Sequence, residues 1–298
     1  MEKLSFINKA SEEVNYLKFE VKDAKCSVVI AHGMAEHPYR YAHLASYLNE
    51  NGINVYAIFH IGHGECAAHL AHMDKGDFDR CISNVSQLVD LARNENQHKV
   101  FLLGHSMGSF MSQLYITRYK NIDGVILSGS TASNAFLSVG AFVAKVIGVF
   151  NKDKTKPSKF LDNVAFGSYN KKYENPKTKF DWLTNDENIV NQYIEDKYCG
   201  WVGSIGFFMN MTNAMAQMGK KKNIKNVDKN LPILVVGGKC DPVSNFEKGL
   251  IALEKQYKKL QIKDVTLIMY DNFRHEIYNE IGKEKAYEDT LKFIKDHL

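Results

Sequence analysis

A serine between two glycines gives the first indication of chemistry in this chain. The segment 104–108 (GHSMG) follows the apolar run 100–103 and precedes a stretch without proline or glycine, 109–119. A strand, a Gly-x-Ser-x-Gly turn and a helix are the sequence form of a nucleophile elbow, which holds its serine exposed in a strained backbone conformation. The two glycines let the strand and helix backbones pass closely. Ser106 is therefore a candidate nucleophile.

Two residues further along the chain supply the partners that a serine nucleophile requires. A histidine must take the proton of the serine, and a carboxylate must orient that histidine. Asp241 follows the apolar run 231–236, and His275 follows the run 265–270. The trio stands in the chain order serine, acid, histidine, each in a loop after a predicted strand. We predict Ser106, Asp241 and His275 as a catalytic triad.

Each of these assignments has a simpler alternative. An aspartate after a strand is often a helix cap or turn residue, and Asp271 and Asp123 compete with Asp241 for the role. Among the eleven histidines, however, His275 is the only one in the loop after the last predicted strand, whereas His297 lies in the predicted terminal helix. The order and placement of the trio together favour the catalytic interpretation.

Another loop is placed to stabilise the oxyanion of an acyl-transfer reaction. His32 and Gly33 follow the apolar run 27–31, where a loop should supply one backbone N–H to the oxyanion. The residue after the nucleophile should supply the other. Met34 and Met107 are thus the predicted donors. The alternative for this loop is a strand-end turn with a packed histidine.

The elements that must position these residues alternate between strands and helices. Short apolar runs predict strands buried on both faces, and the segments between them predict helices. Such alternation implies a parallel sheet with helices on both of its faces. The predicted strands are 27–31, 53–59, 100–103, 124–127, 231–236 and 265–270, and the predicted helices are 41–50, 79–93, 109–119, 246–260 and 282–298.

The alternation breaks between residues 129 and 226. Helical stretches at 136–150 and 201–218 flank a lysine-rich segment, which predicts a helical cap, 129–226, inserted into a core made of residues 1–128 and 227–298. Apolar cap residues could line an acyl pocket, and the alternative is that they only pack the cap onto the core. The predicted pocket residues are Phe142, Val146, Phe207, Phe208, Met211 and Met215.

Five motifs together resemble one branch of a known superfamily. They are 32–41 (HGMAEHPYRY), 62–64 (GHG), 104–108 (GHSMG), 238–242 (GKCDP) and 274–280 (RHEIYNE). The set is similar to the monoacylglycerol lipase and lysophospholipase branch of the α/β-hydrolases. The resemblance implies a mostly parallel eight-stranded sheet flanked by helices, a mobile cap inserted after the sixth strand, and neither cofactor nor metal. It also supports the predicted triad and Met34 with Met107 as oxyanion donors.

The chain departs from that branch just before the 62–64 motif. Such relatives usually have an aspartate and an arginine where this chain has Phe59 and Ile61. We expect these positions to be architectural. The departure therefore leaves the chemistry intact and weakens a close analogy of substrate.

Composition sets the expectations for organisation and compartment. A chain of 298 residues with 45% hydrophobic content suits one large α/β domain with an insertion, or two small domains. Its five scattered cysteines indicate neither a disulfide framework nor a zinc site, and favour a reducing compartment. The first twenty residues lack the apolar core of a signal peptide, and no apolar run is long enough to span a membrane. We expect a cytoplasmic protein, and peripheral contact with a membrane is compatible with that expectation.

The net charge of +4 is unevenly distributed along the chain. Residues 151–180 carry eight lysines against three acids, and residues 219–230 carry five lysines against one. Transient contact of the cap with an anionic lipid surface is one interpretation, and a solvated lysine-rich surface is the simpler one. No nucleic-acid motif accompanies the charge, so no nucleic-acid partner is expected. The oligomeric state is left open.

These patterns predict a serine hydrolase that cleaves carboxylic esters through an acyl-enzyme intermediate. The expected partner is a small lipid-like ester, a monoacylglycerol or lysophospholipid. A short-chain carboxylesterase and a small-peptide hydrolase share the triad and remain alternatives. A non-catalytic ligand-binding relative would be expected to lack a triad member, and none is missing here.

Overall fold

A computed structural model describes residues 1–133, 143–144 and 146–298, and its centre is one eight-stranded sheet. The strands are β1 (Glu2–Ile7), β2 (Glu13–Phe19), β3 (Cys26–Ala31), β4 (Ile53–Ile58), β5 (Lys99–His105), β6 (Gly124–Ser128), β7 (Ile233–Gly238) and β8 (Val265–Tyr270). The named helices are α1 (Ala42–Glu50), α2 (Asp77–Asn96), α3 (Met107–Tyr115), α4 (Lys159–Phe166), α5 (Glu187–Glu195), α6 (Ile205–Met218), α7 (Lys221–Ile224), α8 (Lys248–Lys259) and α9 (Glu284–Asp296).

The strands lie in the order β1-β2-β4-β3-β5-β6-β7-β8 across the sheet. Strands β1, β2 and β4 pair antiparallel, and every pairing from β4 through β3 to β8 is parallel. Helices α4 to α7 stand between β6 and β7. The predicted fold class is confirmed: a mostly parallel eight-stranded sheet flanked by helices, with a helical insertion after the sixth strand.

Each of the six predicted strands is present, with ends within two residues of the predicted ones. Strands β1 and β2 were not among the predicted strands. Strand β1 alternates between exposed and half-buried residues and lies at the sheet edge, so no continuous apolar run identifies it. The exact division into a core, 1–128 and 227–298, and a cap, 129–226, stays a prediction.

Alternate residues of each central strand enter two separate hydrophobic cores. On β3, Val29 and Ala31 belong to the core covered by α2, α3, α6 and α8, whereas Val28 and Ile30 belong to the core covered by α1 and α9. All six residues of β3 are buried, as are those of β4 and β7. Burial on both faces explains why these strands read as continuous apolar runs.

The parallel arrangement determines where chemistry can occur. The carboxyl ends of parallel strands meet at one edge of the sheet, and the loops that follow them converge there. Strands β3, β5, β7 and β8 are followed at that edge by His32, Ser106, Asp241 and His275. Within the described ranges, no helix combines the length and apolar character needed to cross a membrane.

Candidate active site

Ser106 occupies a sharp turn between β5 and α3. Its backbone has φ 51° and ψ −117°, a left-handed φ that a non-glycine residue seldom adopts. Its N–H donates to the Ser128 carbonyl on β6 at 3.0 Å, and its carbonyl accepts from the Phe110 N–H at 3.1 Å. The serine is half-buried, whereas the residues on either side of it are buried. The turn thus leaves the Ser106 side chain accessible at the end of β5, whereas its neighbours are buried.

The glycines of the turn have no room for a side chain. A Cβ on Gly108 would overlap the Ala31 carbonyl oxygen on β3. A Cβ on Gly104 would overlap the Gly108 carbonyl and the Ser112 hydroxyl. Close approach of strand and helix therefore requires glycine at both positions, for the reason that the sequence pattern suggested.

Asp241 and His275 form a buried hydrogen-bonded pair. His275 Nδ1 lies 2.9 Å from Asp241 Oδ2, and the two residues are 1% and 0% exposed. The other carboxylate oxygen accepts from the Val243 N–H at 2.8 Å. Burial disfavours the charged imidazole, but the charge of Asp241 and its hydrogen bond outweigh burial, so the pKa of His275 is raised above 6.5. Asp241 therefore orients the imidazole and stabilises its cation.

The pair forms because the loops after β7 and β8 run against each other. The Cys240 N–H donates to the Phe273 carbonyl at 2.9 Å. A Cβ on Gly238 would overlap the carbonyl oxygens of Phe273 and Arg274. The glycine before Asp241 thus permits the backbone contact that brings the carboxylate to His275.

The two competing aspartates lie elsewhere. Asp271 has a side chain that is 79% exposed and pairs with Lys239 at 2.6 Å. Asp123 precedes β6 at the opposite edge of the sheet, where it accepts from Arg93 at 2.5 Å and from the Val100 N–H at 2.8 Å. Neither can orient His275.

Ser106 and His275 line the same cavity, but their side chains are not hydrogen-bonded to each other in the described part of the chain. The ring of His105 packs against that of His275 with centroids 4.7 Å apart. Burial and the neighbouring His275 lower the pKa of His105 to about 4, so this ring is neutral. Hydrogen bonds between nucleophile and base are often long without substrate.

The loop after β3 lies against the serine. A Cβ on Gly33 would be 3.2 Å from Ser106 Cβ and 2.7 Å from Glu36 Oε1. Met34 and Met107 both line the cavity, and neither N–H donates to another protein group among the described residues. Two free N–H groups beside the serine are what an oxyanion hole needs.

A buried ionic network joins the loop after β3, residues 32–37 and here called the oxyanion loop, to the loop that carries His275. Glu36 accepts from the Gly33 N–H at 2.5 Å, from Tyr41 at 2.8 Å and from Arg40 at 2.9 Å. Arg40 also donates two hydrogen bonds to Glu276, at 2.6 and 2.7 Å. Burial opposes ionisation of Glu36, yet the charge of Arg40 and the hydrogen bonds from Gly33 and Tyr41 together outweigh it, so the pKa of this carboxyl is lowered. The Arg40 guanidinium thus fixes the positions of the two loops relative to each other.

We expect Arg40→Met to lower the free energy of unfolding by about 3–5 kcal/mol, because it leaves two buried carboxylates unpaired. Arg40→Lys should recover part of that loss, since a lysine keeps the charge but not the planar fork. Denaturant titration measures both. Arg118→Met is the control: its exposed pair with Asp79 should contribute less than about 1 kcal/mol. Equal losses for Arg40→Met and Arg118→Met would contradict the prediction.

A segment between α4 and α5 is hydrogen-bonded to the loop that carries His275. The carbonyl of Leu183 accepts from the Glu276 N–H at 2.7 Å, and that of Trp182 accepts from the His275 N–H at 3.4 Å. The Trp182 ring packs on His275 with centroids 5.1 Å apart. Arg274 donates to the Thr184 carbonyl at 3.2 Å. This part of the insertion is therefore a structural support of the site.

The cavity above Ser106 has a volume of about 820 Å³, in the upper range for small-molecule sites. Three predicted pocket residues, Phe208, Met211 and Met215, line it. Phe207 does not: it is buried against His63 and Trp201. Val146 is also absent from the lining and is 38% exposed. The prediction for Phe142 lies outside the described residues.

Several site residues were not assigned a role from the sequence. They are Glu36, Arg40, His105, Trp182 and Glu276. All but Trp182 lie within the five motifs given above, and that position was the signal that could have identified them. Of the unusual positions before the 62–64 motif, Phe59 is buried against Tyr39 with ring centroids 5.8 Å apart, as expected of an architectural residue.

The raised pKa of His275 predicts the pH dependence of turnover. A general base must be neutral, so kcat/KM should fall as the pH drops through a value above 6.5. A pH–rate profile for a neutral ester substrate checks this. An acidic limb centred at or below 6.5 would contradict it.

A strained serine after a central strand, a buried histidine–aspartate pair and a mostly parallel sheet define an α/β-hydrolase. The family model described as Serine aminopeptidase, S33 matches residues 22–282. The chain belongs to this family of serine hydrolases.

Individual relatives agree with that placement. The chain is 27% identical over 280 residues to a monoacylglycerol lipase of Mycolicibacterium smegmatis, covering 93% of this chain and 90% of the relative. It is 28% identical over 159 residues to lysophospholipase L2 of Escherichia coli, covering 52% and 46%. Among solved structures, a carboxyl esterase from Bacillus coagulans superposes with a TM-score of 0.91 at 24% identity, covering 99% and 98%. The predicted family branch and enzyme class, a serine ester hydrolase, are confirmed.

Proposed function

We propose that this protein hydrolyses carboxylic esters of a lipid-like substrate, a monoacylglycerol or lysophospholipid, with Ser106, His275 and Asp241 as its triad. The observation that carries the proposal is a strained serine and a buried His275–Asp241 pair that open onto one large cavity. The names of the relatives point to the same substrates.

The proposed reaction proceeds in two halves. His275 Nε2 takes the proton of Ser106 as the hydroxyl oxygen attacks the ester carbonyl carbon, and the N–H groups of Met34 and Met107 bind the resulting oxyanion. The oxyanion collapses, and His275 passes its proton to the leaving alcohol, so that the acyl group stays on the serine. A water molecule, deprotonated by the same imidazole, then releases the fatty acid and restores the serine.

The apolar wall of the cavity supports a long acyl chain. Phe208, Met211 and Met215 lie along one face of α6 and are joined in the lining by Phe110, Val143 and Leu161. Methionine side chains adapt to a flexible chain, and each methylene buried adds about 0.8 kcal/mol. A cavity of this kind favours a fatty acyl ester over an acetate.

Carboxylates near the serine argue for esters over peptides. An aminopeptidase must bind a free ammonium group, for which an unpaired carboxylate is the natural partner. Of the described acids that line the cavity, Glu36 and Glu276 are both bound to Arg40. Asp162 is the remaining acid, and burial raises the pKa of its carboxyl. The two acids bound to Arg40 are therefore not available to a peptide amine, and among the described residues of the lining only the half-buried Asp162 offers a carboxylate for one.

Initial rates over a series of esters of increasing acyl length test the proposal. We expect kcat/KM to rise by up to about fourfold per methylene until the cavity is filled, with the highest values for monoacylglycerols and lysophospholipids. Aminoacyl anilides serve as the peptide-like comparison. A maximum at acetate or butyrate would favour a short-chain carboxylesterase, and faster cleavage of the anilides would favour a peptidase.

The surface of the insertion supports peripheral contact with an anionic membrane. Val149 and Phe150 are 72% and 82% exposed, and the lysines of the segment 152–159 follow them directly. Apolar side chains flanked by lysines suit a surface that offers both acyl chains and negative charge. Cosedimentation with anionic vesicles should weaken as salt increases, whereas binding that ignores salt and lipid charge would refute this contact.

A further inference from the structure

Three potential metal ligands meet where the insertion touches the oxyanion loop. His37 ends that loop, and Asp196 and Cys199 follow helix α5. One ligand atom from each residue lies within 4.8 Å of the others. His37 Nε2 is 2.8 Å from Asp196 Oδ2. Because His37 lies 159 positions before Asp196, no short sequence spacing reveals this cluster.

The donor atoms are those that zinc prefers. Imidazole nitrogen, carboxylate oxygen and thiolate sulfur are its usual protein ligands. His37 and Cys199 are buried, whereas Asp196 is partly exposed, which leaves a path from solvent and a position for water. His37 Nδ1 is buried and has no hydrogen-bond partner among the described residues, although Nε2 is bound to Asp196. Nδ1 can thus carry the ring proton while Nε2, which faces Asp196, binds a cation.

The geometry is close to that of a bound metal. Ligand atoms around a tetrahedral zinc ion lie roughly 3.3–3.8 Å apart, so the widest separation must shorten by about 1 Å, and His37 Nε2 and Asp196 Oδ2, now 2.8 Å apart, must separate by roughly 0.5 Å. Asp196 and Cys199 belong to one turn, in which the Cys199 N–H donates to the Asp196 carbonyl at 2.9 Å. Rotation of these two side chains, together with a shift of the turn that carries them, supplies the contraction.

The surrounding charges favour a divalent cation. Beside the cluster, Glu36 and Glu276 share the single guanidinium of Arg40, and Asp196 is bound to the imidazole of His37. Three carboxylates against one guanidinium leave an excess of two negative charges in this buried region. A divalent cation cancels that excess, and it also stabilises the thiolate that it needs as a ligand.

We propose that His37, Asp196 and Cys199 bind a thiophilic divalent cation, with zinc as the representative ion. Binding forms bonds from the metal to an imidazole nitrogen, a carboxylate oxygen and the Cys199 sulfur. The thiol proton is released to solvent, and water fills the fourth position. No electron is transferred. Neutral imidazole keeps its single proton on the nitrogen that does not hold the metal.

Such a cross-link acts on the oxyanion loop. The Gly200 N–H already donates to the Ala35 carbonyl at 3.0 Å, which joins this turn to the loop beside Met34. Contraction around a metal displaces Ala35 and, with it, the N–H of Met34. A misplacement of about 1 Å at a catalytic donor can reduce turnover roughly a hundredfold, so metal binding is inhibitory. This consequence rests on the proposed ester hydrolysis, whereas the binding itself does not.

Cadmium binding to the metal-free full-length chain tests the site directly. Titration of Cd²⁺ should produce one equivalent of thiolate-to-metal charge-transfer absorption, and calorimetry with Zn²⁺ should give the same stoichiometry. Cys199→Ser removes the sulfur with the least change in shape and should abolish the band. Cys66→Ser is the matched control, because Cys66 is more accessible than Cys199 but lies outside the cluster. His37→Gln should weaken Zn²⁺ binding at least tenfold.

The outcomes separate this site from the proposed activity. Inhibition by Zn²⁺ that disappears in Cys199→Ser and persists in Cys66→Ser supports both proposals. A charge-transfer band in a chain with no esterase activity supports the metal site alone. A band that survives in Cys199→Ser, or the absence of stoichiometric binding by the wild-type chain, overturns it. Should Cys199→Ser fail to fold by circular dichroism, Asp196→Asn replaces it, and unchanged Zn²⁺ affinity in that variant has the same meaning.

Discussion

Ser106→Ala is expected to lower kcat for ester hydrolysis by roughly 10⁴- to 10⁶-fold and to abolish labelling by a fluorophosphonate probe. The hydroxyl oxygen would form the covalent bond to the acyl group, and no other described side chain shares its position on the elbow. The half-buried serine projects from an otherwise buried turn, so its truncation should change stability little. Gel-based labelling and a pre-steady-state burst of alcohol release measure the two effects.

Ser168→Ala is the matched control for this experiment. Ser168 also lines the cavity, but it is exposed and lies between α4 and α5, away from the elbow. Its variant should retain full labelling. Labelling that survives in Ser106→Ala would place the nucleophile elsewhere and defeat the proposed mechanism. A loss of labelling in both variants would show that the probe reports access to the cavity and not the nucleophile.

Asp241→Asn is expected to lower kcat by about 10⁴-fold with little change in KM. An amide keeps the shape of the carboxylate but loses its charge, and it can donate a hydrogen to His275 Nδ1. That donation favours the imidazole tautomer whose proton is on Nε2, which cannot accept the serine proton. The buried imidazolium also loses the negative charge that lies 2.9 Å from it. Steady-state kinetics on one long-chain ester provide the measurement.

Asp271→Asn tests whether the loss in Asp241→Asn comes from the carboxylate beside His275 or from removing any negative charge in these loops. Asp271 stands in the loop that carries His275, but its exposed side chain pairs only with Lys239 in the described structure. We expect its kcat to stay within about twofold of wild type, because an exposed surface pair contributes little. Comparable losses in Asp241→Asn and Asp271→Asn would remove the reason for assigning the triad acid to Asp241.

The order of elements and the loops of the site were largely predictable from the sequence. A strand buried on both faces is apolar throughout, and a turn as tight as 104–108 demands glycine at two fixed positions. Both are local requirements, so the residues of one short segment are enough to predict them. Parallel strands also bring their following loops to one edge, so the convergence of the loops at 32–37, 106, 241 and 275 follows from topology.

The lining of the cavity was predicted only in part, because it depends on helix orientation. Phe208, Met211 and Met215 share a face of α6 that looks into the cavity. Phe207 is rotated by about 100° from Phe208 and packs against His63 instead. Composition identifies an apolar helix, but it does not say which face meets the cavity and which meets the core.

The antiparallel edge and the lysine-rich segment show a similar limit. Strand β1 is held by its register against β2, from Glu2 opposite Lys18 to Ile7 opposite Glu13, and its residues are half-buried at most. Helices α4 and α5 form within a segment of weak periodicity. Their first turns are capped by the side chains of Ser158 and Asp186. Strand pairing and side-chain capping of this kind change the local pattern of hydrophobic residues very little.

The sequence by itself determined the fold class, the elbow serine and the chain order of the proposed triad, because short local patterns and their order along the chain are sufficient for each. Only the tertiary structure shows that Asp241 lies beside His275 and that Asp271 and Asp123 do not. It also joined Glu36 to Glu276 through Arg40, and it brought His37 beside Asp196 and Cys199. These choices depend on distances between residues far apart in the chain. Such distances are set by how helices pack and loops cross, and a one-dimensional pattern does not contain them.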